Sequence, residues 1–159
     1  MGRNEEKLKE NDMKYFTIDE LIKSATAQRK GIKSQFKPSD EIKSSLTALV
    51  EKVLDPLREA YGKPIIVTSG YRCTELNKAV GGAASSQHVK GEAADIRSVQ
   101  DTPEENKKLY DLIVKLKLPF DQLINEFNYD WVHVSFGARH RRQKLKAVRK
   151  NGKTIYINV

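Results

Sequence analysis

The sequence predicts an α+β protein, a small and mostly antiparallel sheet with helices packed on one side. Helical patterns are grouped early, whereas runs typical of short strands come late and end in a pair joined by Asn151-Gly152. Helices followed by strands favour α+β over an alternating parallel fold, and Asn-Gly is the preferred two-residue hairpin turn. A length of 159 residues suits one domain.

This single domain is expected to cover residues 14–159, with a basic hairpin at 144–159. The polar segment 1–13 is expected to be flexible and to contribute nothing to the fold. It has no apolar stretch of the kind that secretory signal peptides carry, so we expect synthesis in the cytoplasm. No apolar run approaches the roughly 20 residues that a membrane-spanning helix needs.

The helices have clear start signals. Thr17 and Glu20 form a capping box, and the first helix is predicted to end near Gly31. A second helix begins with Ser39 as its N-cap, and Pro56 is expected to kink or interrupt it. A further capping box, with proline at the first helical position, starts a helix at 102–105.

The strands are read from short runs of β-branched and alternating residues. They are predicted at 65–68, 93–97, 122–127 and 131–136, followed by the hairpin strands 144–150 and 153–159. Residues 73–92 are rich in Gly, Ala and Ser, and we expect a loop there with one short helix.

The net charge of +8 is concentrated near the end of the sequence. Residues 136–159 hold eight of the 29 Lys and Arg residues and no Asp or Glu, so the remainder is balanced against 21 acidic residues. Such a block favours nucleic acid, an anionic cell-wall polymer or a membrane surface, although it is equally typical of a solvated hairpin. The lone Cys73 makes the fold independent of an intrachain disulfide.

Two segments carry candidate chemistry. In the first, His88 and Asp95 lie seven residues apart around Gly91, which permits a tight backbone bend. In the second, residues 131–136 read as a strand, so Val132 and Val134 face the core and His133 faces the other way.

Two histidines and one carboxylate form a catalytic zinc set with a fourth position open for water. From spacing alone, His–Asp pairs are also common as structural hydrogen bonds, so the residues leave both interpretations open. A non-haem iron site uses the same ligand types, but its usual first His and acid are two residues apart on one strand.

Several motifs occur in an order that resembles the zinc D-Ala-D-Ala peptidases, the M15-type group that includes carboxypeptidases, dipeptidases and phage endolysins. They are Ser69-Gly70-Tyr71-Arg72, Ser86-x-His88-x-x-Gly91-x-Ala93-x-Asp95 and Asp130-x-x-His133. The resemblance runs from about Tyr15 to Phe136 and implies a hedgehog/DD-peptidase-like fold.

The resemblance also implies roles for individual residues. His88, Asp95 and His133 match zinc ligands, Asp130 matches the general base, and Arg72 matches an arginine near the reacting carbonyl. Many relatives have Glu where this chain has Asp130, and Glu126 is the fallback base. Ser86, Gln87 and Trp131 match or neighbour substrate-binding positions, and Gln122 is expected beside them.

The expected function is a Zn²⁺-dependent peptidase that hydrolyses peptidoglycan stem peptides, of carboxypeptidase or endopeptidase/endolysin type. The alternative is a non-catalytic, zinc-containing cell-wall-binding module. Residues 139–153 are expected to contact an anionic wall polymer, since no nucleic-acid motif accompanies them. We expect a monomer that acts on the cell wall after release from the cytoplasm, as a phage or prophage lysin does; a bacterial housekeeping enzyme is the other setting that the sequence leaves open.

Overall fold

A computed structural model describes residues 12–159 of the protein, so most of the predicted flexible segment 1–13 lies outside the described residues. The helices are α1 Ile18–Ile22, α2 Ala25–Lys30, α3 Asp40–Leu49, α4 Asp55–Tyr61, α5 Thr74–Ala79 and α6 Pro103–Lys115. The strands are β1 Ile65–Ser69, β2 Ala93–Ser98, β3 Gln122–Glu126, β4 Trp131–Ser135, β5 Gln143–Lys150 and β6 Lys153–Asn158.

The first predicted helix is divided into two. The Thr17 hydroxyl accepts the Glu20 N–H, as the capping box requires, but α1 ends at Ile22, and its C-cap Lys23 has a non-helical backbone with ψ 134°. The Ser24 hydroxyl then caps α2 by accepting the N–H of Ala27. A serine that binds a nearby backbone N–H favours a new helix start over continuation, and its position explains the break.

Pro56 does not end the second helix. Val50–Leu54, which end two positions before Pro56, form a π-helical turn, and the Asp55 N–H donates to the Val50 carbonyl. The wider turn shifts the hydrogen-bond register at the point where proline lacks an N–H and would crowd the preceding turn. The helical path therefore continues into α4. That helix ends at Tyr61, and its C-cap Gly62 has a left-handed backbone conformation.

The six strands form one sheet in the order β1-β2-β4-β3-β5-β6. Four of its strand pairs are antiparallel, and β3 pairs with β5 in parallel. The sheet is therefore mostly antiparallel but mixed. The parallel pair arises because β4 lies on one side of β3 and the chain then returns to its other side.

The main core lies between one face of this sheet and the helices. Ile96, Leu123, Val132 and Val134 are fully buried there with apolar residues of α3 and α4, and α6 contacts β2, β3 and β4. The opposite face carries a smaller apolar cluster of Ile124, Leu145 and Ala147 beside several polar side chains. Within residues 12–159, no helix is long and apolar enough to cross a membrane.

Candidate metal centre and cleft

His88, Asp95 and His133 meet on the face of the sheet opposite the main core. Asp95 in β2 pairs directly with His133 in β4, and a 3₁₀ turn at Gln87–Lys90 brings His88 to them. One ligand atom from each residue lies within 4.8 Å of the other two. The Oδ1 of Asp95 is 3.4 Å from His88 Nε2 and 3.0 Å from His133 Nδ1.

The geometry of the cluster fits a tetrahedral metal ion. Zinc ligands at about 2.0–2.2 Å from the ion are roughly 3.3–3.5 Å from one another, and the two contacts of Asp95 are close to that spacing. Two imidazoles and one carboxylate are also the donor set of catalytic zinc sites. Among the residues that the structure describes, these three are the ones grouped so as to hold a metal.

The tautomer of His88 is fixed by a backbone carbonyl. Its Nδ1 lies 2.6 Å from the Gly70 oxygen. Because a carbonyl can only accept, Nδ1 carries the proton and donates, which leaves the Nε2 lone pair free for a metal. This arrangement is the usual outer support of a metal-binding histidine.

Gly70 has a steric reason to be glycine. A Cβ built there would lie 2.2 Å from the Leu21 carbonyl oxygen, and that same oxygen accepts the Tyr71 N–H at 2.7 Å. The segment Ser69-Gly70-Tyr71-Arg72 thus runs pressed between α1 and the His88 ring. Gly91, with φ +70°, ends the turn that carries His88.

Asp95 is ionised in this setting. Its burial alone would raise the carboxyl pKa, but His88 and His133 outweigh burial and hold the pKa below its ordinary value. An ionised carboxylate between two imidazoles presents one negative charge to a cation.

The cluster opens into a cleft of about 870 Å³. Glu126, at the end of β3, lines this cleft and pairs across the sheet with Trp131. The Glu126 side chain is only 6% exposed, and its burial raises the pKa to about 7. The Asp95 carboxylate acts in the same direction and His133 in the opposite one. Glu126 can therefore hold or release a proton near neutral pH beside the candidate ligands.

Asp130 is not brought into the cleft. Phe127, Asn128 and Tyr129 all have positive φ, and this tight turn leaves Asp130 exposed ahead of β4. It also lies three positions before His133, so the alternation of the strand does not place the two side chains on one face. Besides the candidate ligand Asp95, the cleft is therefore lined by the carboxylate of Glu126, and the expected base Asp130 does not line it.

The comparison with protein families identifies the chain. The sequence profile described as Peptidase M15 matches residues 14–135, well over half of the chain. The chain belongs to the peptidase M15 family. A search of curated proteins finds no significant match. The matched region of this M15 peptidase contains the three candidate metal ligands and Glu126. It stops before the basic hairpin, which consists of β5 and β6.

Arg72 and Ser86 lie together on one wall of the M15 cleft. The Arg72 Nη2 is 3.5 Å from the Ser86 hydroxyl, which also accepts the His88 N–H at 3.2 Å. Burial lowers the pKa of Arg72, and the negative charge of Asp95 opposes that shift. Its Nε is buried and has no hydrogen-bond partner within residues 12–159. Arg72 thus retains unused donor capacity near the candidate metal.

Gln87 and Trp131 both line the cleft, but their surroundings differ. The Gln87 amide donates to Asp121 at 2.9 Å and to Glu92 at 3.4 Å, which favours a positioning role next to His88. The Trp131 indole N–H is buried and has no partner in the described part of the chain. Gln122, also at the cleft, donates to Gln143 of the basic hairpin at 2.7 Å.

Asp121 connects the site to the segment that leads into the basic hairpin. This fully buried carboxylate accepts three hydrogen bonds from Arg141, at 2.8, 3.0 and 2.9 Å. Arg141 is the main reason why the Asp121 pKa is held at about 2, with help from Gln87 and against burial. Sequence reasoning missed this residue, since a lone Asp after Phe120 carries no motif.

Proposed function

We propose that the protein is a zinc-dependent peptidase with a hedgehog/DD-peptidase-like arrangement that hydrolyses peptidoglycan stem peptides. The observation that carries the proposal is the His88–Asp95–His133 cluster facing Glu126 in an open cleft of an M15 chain. The non-catalytic binding module is the weaker candidate, because a carboxylate buried in the cleft beside the candidate ligands suits proton transfer better than passive binding.

His88, Asp95 and His133 hold the ion in this proposal. Bound there, zinc would polarise the scissile carbonyl and lower the pKa of a water molecule to about 7. Glu126, once ionised, accepts the proton of the attacking water and returns it to the leaving amine. Arg72 donates hydrogen bonds to the oxyanion that develops on the substrate, and Ser86 keeps the guanidinium in place.

The basic hairpin supports a second contact, with the bacterial cell wall. Lys144, Lys146 and Lys150 alternate with the cleft-facing residues of β5 and so share its outer face with Lys153 of β6. Residues 136–159 contain no acid to neutralise them. We include an anionic wall polymer as their partner, met after release of the protein from the cytoplasm. Arg141 does not belong to that surface, since Asp121 binds it.

A combined measurement of metal and turnover tests the proposal. Zinc is quantified by elemental analysis, and the same preparation is incubated with purified peptidoglycan and with stem peptides ending in D-Ala-D-Ala. About one zinc per chain and chelator-sensitive release of fragments are expected, and the fragments identify the bond. Stoichiometric zinc without cleavage would favour the binding module, and a protein that takes up no zinc would contradict the site.

A further inference from the structure

One row of side chains in the basic hairpin lines the same cleft as the candidate metal ligands. Tyr156 of β6 pairs with Ala147 of β5, and Ala147 pairs with Glu126 of β3. Directly paired residues project from the same face of a sheet. Tyr156 therefore shares a face with Glu126, and both line the cleft together with Arg72.

The small residue between them allows Tyr156 and Glu126 to approach each other. Adjacent strands are about 4.8 Å apart, so the two backbones are separated by roughly 10 Å across β5. Ala147 contributes only a methyl group in that interval, which leaves the space above it to the longer side chains. Glu126, Asp95 and Arg72 are all close enough to act electrostatically on the Tyr156 hydroxyl.

The Tyr156 hydroxyl is free to donate. Within residues 12–159 it makes no hydrogen bond, and the residue is 54% exposed. Partial burial raises the pKa of the phenol, Glu126 and Asp95 raise it further, and Arg72 opposes them. The hydroxyl accordingly keeps its proton at neutral pH and can donate it to an acceptor oxygen.

The neighbouring cations of this wall are already engaged. Arg149 lies over the Phe127 ring at 5.1 Å, Arg141 binds Asp121, and the Arg139 Nε is 4.0 Å from the same carboxylate. Tyr156 is thus a polar group on the hairpin side of the cleft whose side chain has no hydrogen-bond partner among the described residues.

We propose that Tyr156 is a substrate-binding residue of the peptidase and donates its hydroxyl to a peptide oxygen held between Arg72 and the basic hairpin. This inference rests on the proposed function, and it places one side of the substrate site beyond residues 14–135, the region matched to the M15 family. The peptide then crosses the cleft above Ala147, with Arg72 on one side, Tyr156 on the other and Glu126 beneath.

Kinetics of the zinc-loaded full chain provide the first test. Tyr156→Phe removes only the hydroxyl, so KM for the stem peptide that the wild-type protein cuts should rise about tenfold, the effect of losing one good hydrogen bond. Zinc content should not change. Tyr129→Phe is the matched control, because Tyr129 packs against Tyr110 on the core side of the sheet. Loss of the Tyr129 hydroxyl should leave KM unchanged.

A binding measurement separates this role from turnover. The zinc-loaded Glu126→Gln protein, which should bind without cutting, is labelled with 3-fluorotyrosine and titrated with the pentapeptide L-Ala-γ-D-Glu-L-Lys-D-Ala-D-Ala. The ¹⁹F signal of Tyr156 is identified as the one that is missing from the Glu126→Gln/Tyr156→Phe protein. This signal should shift in the Glu126→Gln protein as the peptide is added. The double variant should bind the peptide about tenfold more weakly.

The outcomes of these tests are distinct. If the wild-type protein cuts stem peptides but Tyr156→Phe has the same KM, or if the ¹⁹F signal does not move on saturation, the role of Tyr156 is excluded and the proposed function stands. If the wild-type protein binds zinc and the Tyr156 signal shifts but no peptide is cut, the hairpin subsite stands and the peptidase proposal fails.

Discussion

The two sides of the cleft are built in different ways. The candidate metal ligands are supported from within the domain, by paired strands, by the Gly70 carbonyl and by a core of buried residues. The basic hairpin is largely exposed along β6 and joins the sheet through the β3–β5 pair and the Asp121–Arg141 contact. Under the proposed function, reactivity depends on the first side, which we call the rigid side, whereas recognition of the peptide and of the cell wall depends on the hairpin side, which we call the attached side.

The rigid side should be sensitive to single substitutions. His133→Ala removes one of three candidate ligands, and we expect zinc to be lost on dialysis and activity to fall at least about a thousandfold. Elemental analysis after dialysis and the peptide assay measure both effects. His140→Ala, outside the cluster, is the control and should retain both zinc and activity.

The identity of the base can be decided by a pair of variants. Glu126→Gln should lower kcat by about 100- to 10,000-fold while zinc content is retained, because the substitution removes the proton acceptor and no ligand. Asp130→Asn should leave kcat nearly unchanged, because the Asp130 side chain is exposed and does not line the cleft. The reverse order of effects would return the base to Asp130.

The junction between the two sides should depend on pH. The Asp121 pKa is about 2 in the folded protein against an ordinary 3.8, so the unfolded chain binds the proton first. The stabilisation, about 2 kcal/mol, is therefore present above pH 4 and is lost as the pH falls toward 2. Urea unfolding of Asp121→Asn should show lower stability at pH 7 and a flatter dependence below pH 4.

An exposed carboxylate serves as the control for that experiment. Asp111 is 54% exposed and binds Lys107 at 2.6 Å, and Asp111→Asn should cost less than about 0.5 kcal/mol. Equal losses for Asp111→Asn and Asp121→Asn would contradict the role assigned to the buried contact.

The attached side should yield the smallest effect on chemistry. Replacing Lys144, Lys146, Lys150 and Lys153 by Gln should weaken adsorption to purified wall about tenfold at low salt and leave cleavage of short peptides unchanged. Sedimentation with wall fragments at several salt concentrations measures the adsorption. Replacing Lys23, Lys33, Lys37 and Lys78 gives a control of equal charge change, and equal losses would show that location does not matter.

Much of the fold could be predicted from local rules. The caps at Thr17, Ser39 and Thr102 accept the expected N–H groups, and alternation in β4 correctly placed Val132 and Val134 in the core. The break at Ser24 and the π-helical turn before Pro56 were not predicted, because each depends on competition between hydrogen bonds that a pattern of apolar residues does not record.

The candidate site could be predicted in part. The cluster of His88, Asp95 and His133 followed from motif order, and the structure brings these three residues together. The position of Glu126 could have been found by extending the alternation of β3, because Gln122, Ile124 and Glu126 share a face. The position of Tyr156 could not have been found in this way, because it depends on the parallel pairing of β3 with β5. A local turn in the sequence does not specify a parallel partner.

The parallel pair also sets an order of events during synthesis. Every candidate metal ligand precedes β5 in the chain, so the ligands emerge from the ribosome while β3 still has an unpaired edge. That edge can be closed, and the side of the cleft with Tyr156 added, only after the basic hairpin has also emerged from the ribosome. The candidate metal ligands of the nascent domain can therefore come together before the cleft is complete.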